Sequence, residues 1–164
     1  MLHVFMLGGR HPHARIEVHD VAFANVERIE DAYPQLRRDW FGQAKGLHLD
    51  GWLAVDGVED CKVEFADTAP AADAPRLFFV NLGGYVPQSL GEVHDYRLLL
   101  AADAQQARLK ARQLWDAQWA APHTDALIEV DDCIAIDQVG GRHVQLRRAP
   151  HQGIALVSDY IVIG

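Results

Sequence analysis

The chain has 164 residues, 49% hydrophobic and 23% charged, and its 15 Lys and Arg against 23 Asp and Glu give a net charge of −8. That composition is ordinary for a globular protein. The charge disfavours a nucleic-acid backbone or an anionic membrane as partner, and no apolar run approaches the roughly 20 residues of a bilayer span.

Residues 2–7 are apolar and short, as a buried strand is, with no basic segment that would mark them as a secretory signal. Gly8-Gly9-Arg10-His11-Pro12 reads as a loop, its glycines supplying positive φ in a turn. Residues 15–24 form an expected second strand, with Glu17, His19, Val21 and Phe23 on one face. Val26, Ile29, Tyr33, Leu36 and Trp40 then recur at helical spacing, with Pro34 forcing a kink or a restart. Strands are expected at about 51–58 and 61–66, joined by a tight turn at Glu59-Asp60. Residues 67–75, rich in Ala and Pro, read as a linker.

Beyond it the chain repeats itself. Shifted by 75 residues, positions 2–50 align with 77–125 without a gap, and 15 of the 49 pairs are identical; chance would give roughly three or four. Leu7-Gly8-Gly9 falls on Leu82-Gly83-Gly84, Glu17-Val18-His19-Asp20 on Glu92-Val93-His94-Asp95, and Trp40 on Trp115. His48 and Asp50 fall on His123 and Asp125. In the second copy Asp103 is the expected N-cap of a helix over 104–119, with Pro122 past its end. Residues 52–58 match 133–139 only at a shift of 81, which places a six-residue insertion within 126–132. Gly140-Gly141 reads as a hairpin turn, and an apolar strand over 154–163 follows.

The expected architecture is therefore α+β, a tandem duplication of a β-β-α-β-β unit with β-grasp-like element order, in two pseudo-symmetric lobes of antiparallel or mixed sheet. The first repeat spans 1–66, a linker 67–76, and the second repeat, with its insertion and extra strand, 77–164.

The residues kept in both copies are the candidates for chemistry: Glu17, His19, His48 and Asp50, mirrored by Glu92, His94, His123 and Asp125. On a strand Glu17 and His19 point the same way, and two imidazoles with two carboxylates suit Zn²⁺ or a similar divalent metal. The same pairs equally serve as a structural polar network, which is the commoner use of His–Asp and His–Glu pairs. Neither Leu-Gly-Gly run has the Lys of a P-loop or the third Gly of a dinucleotide fingerprint, so no phosphate or nucleotide cofactor is expected. Trp40 and Trp115 read as core. Cys61 and Cys133 do not align between copies, so reduced, inert thiols are expected.

The LGG-x-x-P turn, the E-V-H-D strand, the H-x-D before W-L-A-V-D-G-V, and Glu129-Val130-Asp131-Asp132-Cys133 together resemble the bacterial family known as domain of unknown function 1543. The resemblance covers nearly the whole chain and implies a two-copy member and a bacterial source. It implies no activity. The expected function is a cytoplasmic binding or interaction module, with the apolar 154–163 strand suited to pairing within the fold or at a homodimer edge. The alternative is a metal-dependent hydrolase built on the duplicated Glu/His and His/Asp pairs.

Overall fold

The structure is a computed structural model that describes residues 1–85, 88, 90–114 and 128–164. In chain order its elements are β1 (Leu2–Gly9), β2 (Val18–Asn25), a 3-10 turn (Ile29–Ala32), α1 (Tyr33–Asp39), β3 (His48–Val55), β4 (Gly57–Val58) and β5 (Cys61–Ala66). There follow β6 (Arg76–Gly84), β7 (Val93–Ala101), α2 (Ala104–Gln113), β8 (Ile128–Ala135), β9 (Gln138–Val139), β10 (Arg142–Arg148), β11 (Ile154–Val157) and β12 (Ile161–Val162). The chain divides into two compact units: 1–65 with 139–142 and 147–164, and 66–138 with 143–146. No described helix is long and apolar enough to cross a membrane.

In the first unit β1 is central. It pairs antiparallel with β2 on one side and β3 on the other, and the outer edge of β3 takes β11 and then β12. Phe5, Leu7 and Leu49 on one face of the sheet pack with Ala32, Leu36 and Trp40 from the helical segment. Pro34 lies in the first turn of α1, where a missing N–H costs nothing, so the stripe restarts there after a 3-10 turn. In the second unit β6 is central between β7 and β8, both antiparallel to it. Asp103 caps α2 by accepting from the backbone N–H of Gln106 at 2.8 Å. Antiparallel sheet with a helix on one face is thus the architecture of each unit.

The two cores use matching positions. Phe5, Leu7, Ala24, Ala32 and Leu36 are buried in the first, and Val80, Leu82, Leu99, Ala107 and Ala111, each 75 residues on, in the second. Two of these pairs exchange size in opposite senses: Ala24 and Leu36 against Leu99 and Ala111. Core volume is kept while the large side chain moves from helix to strand.

Three expectations are corrected. First, Gly8-Gly9 and Gly83-Gly84 lie inside β1 and β6, and none of the four has positive φ; they are strand residues. Gly140 and Gly141, at φ 61° and 78°, do form the turn between β9 and β10. Second, the 154–163 segment was expected in the second repeat, but its strands complete the sheet of the first unit. There they pair the backbone groups on the outer edge of β3. Third, the shift of 81 begins earlier than expected. Gly8 pairs with His48 and Gly83 with Glu129, while Leu49 and Val130 occupy the same core position. The insertion therefore precedes Ile128. Trp115, His123 and Asp125 lie outside the described residues.

His3 is buried on β1 with its Nδ1 lacking a hydrogen-bond partner, stacked on Phe5 at 5.7 Å between ring centroids. Burial holds its pKa below the usual 6.5. The native state then binds fewer protons than the unfolded chain, so His3 lowers stability as pH falls below 6.5 and is without effect above it. Urea titrations of His3→Leu between pH 7.5 and 5 should show a shallower acid-side loss than the wild type. In the core, Leu36→Ala alone should cost about 2–5 kcal/mol. The double variant Ala24→Leu, Leu36→Ala should recover part of that loss, which chemical denaturation of the set will measure.

Candidate metal centre

The site of the first unit follows from the register of three strands. Gly8 pairs with His19 on β2 and with His48 on β3, so the two imidazoles stand abreast on one face with a glycine between them. That face is opposite the one on which Leu7 and Leu49 enter the core. Glu17, two residues before His19, points to the same side.

Asp50 arrives by a different route. Met6 pairs with Gly51 and Leu7 with Leu49, so Asp50 is the extra residue of a β-bulge. The bulge places Asp50 beside His48 and still returns Trp52 to the core face. The second unit has the same irregularity in the same place: Asn81 pairs with Asp132 and Leu82 with Val130, leaving Asp131 as the bulged residue.

The four side chains converge. His19 Nε2 lies 3.5 Å from Glu17 Oε1 and 3.3 Å from Asp50 Oδ2. His48 Nε2 lies 3.5 Å from Glu17 Oε1 and 3.5 Å from Asp50 Oδ1. Nitrogen and oxygen thus alternate around a ring. Glu17, His19 and Asp50 are 41%, 49% and 34% exposed, whereas His48 is only 2% exposed. His48 Nδ1 is 2.8 Å from the Gly46 carbonyl, which can only accept, so Nδ1 carries a proton and donates it there. Nε2 is buried and without a hydrogen-bond partner, 3.5 Å from a carboxylate oxygen of each of Glu17 and Asp50.

The floor of the ring is Gly8. A Cβ there would fall well inside contact distance of His48 Nε2 and 2.9 Å from Asp50 Oδ2. Gly83 has the corresponding place in the second unit, where a Cβ would meet Asp131 Oδ2 and Glu92 Oε1. Here Glu92, His94 and Asp131 offer ligand atoms within 4.8 Å of one another, all on exposed residues. His94 Nδ1 is 3.3 Å from Asp131 Oδ2 and 3.0 Å from Asn81 Oδ1.

Of the residues singled out from the sequence, Glu17, His19, His48 and Asp50 are brought together, and so are Glu92 and His94. In the strand register Glu129 and Asp131 hold the places of His48 and Asp50 that had been given to His123 and Asp125. The shift of 81, had it been extended back from residue 133, would have revealed this. Tyr160 was also missed: its ring lies 4.4 Å from that of His48. The two thiols take no part. Cys61 and Cys133 form no disulfide, and burial pushes both above the ordinary thiol range.

The family model described as Domain of Unknown Function (DUF1543) matches residues 14–65 and again 89–141. Together these spans cover more than half of the chain, which therefore belongs to this family as a two-copy member. Among solved structures the chain is similar to the crystal structure of protein Il1583 from Idiomarina loihiensis, with a TM-score of 0.72 and 30% identity. The match covers 99% of this chain and 97% of that one. Among curated proteins there is no match.

The two floors should respond differently to a methyl group. Gly8→Ala pushes a Cβ against a buried imidazole pinned at Nδ1, and should cost about 1–3 kcal/mol in chemical denaturation. Gly83→Ala meets the ends of carboxylate side chains that can swing aside, and should cost less. Equal losses would mean that the His48 ring is free to move.

Proposed function

We propose that the protein is a divalent-metal-binding module whose principal site is formed by Glu17, His19, His48 and Asp50. The observation that carries this reading is His48 Nε2, a buried ring nitrogen without a hydrogen-bond partner beside two carboxylates. An unprotonated nitrogen beside two carboxylate oxygens is repulsive until a cation lies between them. The hydrogen bond from Nδ1 to a backbone carbonyl is the support that metal-bound histidines use to fix tautomer and orientation. Adjacent nitrogen and oxygen atoms lie 3.3–3.5 Å apart, but among the described residues only Glu92, His94 and Asp131 have ligand atoms that all lie within 4.8 Å of one another, so a single ion at the first cluster requires its side chains to draw inward. Mixed imidazole and carboxylate donors favour Zn²⁺ or Mn²⁺ over Ca²⁺. Glu92, His94 and Asp131 would form a second, more exposed site.

A second reading, a metal-dependent hydrolase, is favoured by the exposure of three of the four ligands, which would leave a bound ion open to water. Such an ion lowers the pKa of its water enough to yield hydroxide near neutral pH.

Elemental analysis after Zn²⁺ loading and desalting should find about one to two ions per wild-type chain, the range that these two ligand sets would hold. His48→Ala should weaken the tight site by more than the roughly 10–100-fold that loss of an outer-shell partner costs. A wild type that retains no Zn²⁺ or Mn²⁺ would make these residues a structural network and return attention to protein partners.

A further inference from the structure

The last residues of the chain are built into the surroundings of His48. The Ile163 and Gly164 amides donate to the Leu47 carbonyl at 2.8 and 3.0 Å, and the Gly46 amide donates to the Gly164 carbonyl at 3.3 Å. Arg37 donates from α1 to the Ile163 carbonyl. Ile163 is 4% exposed and lies in the core with Leu47 and Leu36. On the ladder Val162 pairs with His48 itself and Ile161 with Leu49. A Cβ at residue 164 would collide with the Ala44 carbonyl, so the chain passes that point as glycine.

The tail is also shaped to the bulge. β11 ends where Val157 pairs with Trp52, and β12 resumes where Ile161 pairs with Leu49. Between them Ser158, Asp159 and Tyr160 arch past the two residues Asp50 and Gly51. This arch lays the Tyr160 ring against His48 at 4.4 Å, inclined by 35°. Tyr160 is nevertheless 64% exposed, so the contact is not one that general core burial requires.

We infer that the C-terminal segment, and Tyr160 in particular, positions His48 for metal binding in the first unit. The inference rests on the metal reading above. Two restraints hold the imidazole: the Gly46 carbonyl on Nδ1, carried by a loop that the tail hydrogen-bonds, and the Tyr160 ring on its face. Together they fix the direction of the Nε2 lone pair, which sets how strongly a ligand binds. The tail exists once in a duplicated chain. In the second unit β8, the counterpart of β3, pairs with β6 alone among the described residues. The two sites should therefore differ in affinity, with the stronger one dependent on a segment more than a hundred residues away from its ligands in sequence.

The test compares wild type, Tyr160→Ala and Tyr160→Phe by Zn²⁺ competition against a chromophoric chelator, and by the visible absorption of bound Co²⁺. Tyr160→Ala should bind at the tight site roughly 10–100-fold more weakly, with altered Co²⁺ bands and an unchanged melting temperature of the metal-free protein. Tyr160→Phe should match the wild type. By thermodynamic reciprocity, Zn²⁺ must in turn slow hydrogen exchange at the Ile163 and Gly164 amides of the wild type. That readout needs no variant to fold. If the wild type binds Zn²⁺ but Tyr160→Ala binds equally well and the tail amides do not respond, the positioning role is overturned and the metal reading stands. If the wild type binds neither Zn²⁺ nor Co²⁺, both fall together.

Discussion

Two histidines can stand abreast on neighbouring strands of β1 only because the residue between them has no side chain. Gly8 is that residue, and the site of the first unit depends on it. With any Cβ at position 8, His48 would have to leave the place where its Nδ1 meets the Gly46 carbonyl. The β-bulge completes the arrangement. Strict alternation beyond His48 and Asp50 would send Trp52 to the polar face, and one extra residue lets Asp50 join the cluster while Trp52 returns to the core.

The same pair of devices, a floor glycine and a bulged aspartate, recurs in the second unit at Gly83 and Asp131. Its recurrence shows what the duplicated unit maintains. Core packing has drifted by exchange of volume between strand and helix, and the C-terminal strands serve one unit alone. The geometry that gathers Glu, His and Asp on one sheet face is common to both. Such a cluster is costly to keep without a purpose, because carboxylates held near one another repel and a buried imidazole nitrogen without a partner loses its hydration. A cation is the simplest group that removes both penalties at once, which is the physical ground for the proposed metal centre.

The tail adds asymmetry to this symmetry. The strands β11 and β12 pair with β3 of the first unit. The unit that receives them is the one with the more buried histidine. The two clusters thus differ both in the strands beside them and in a residue of the set, since Glu129 holds the register place of His48.

The sequence by itself determined the duplication, the α+β class, the helix start at Asp103, the hairpin at Gly140-Gly141 and four convergent side chains of the first site. These are legible because periodicity, capping and identity between copies are local signals. It misassigned the glycines of Leu7-Gly8-Gly9, because a glycine needed for close approach and one needed for a turn look alike in one dimension. It matched Asp50 to Asp125 because two identities at a shift of 75 outweighed the single one, Asp50 with Asp131, that the shift of 81 offers. Tertiary structure alone decided that the last strands return to the first unit and that Tyr160 lies against His48. Each of these is a contact between segments distant in the chain, set by which backbone donors and acceptors find partners across a ladder, and no local pattern of residues encodes that choice.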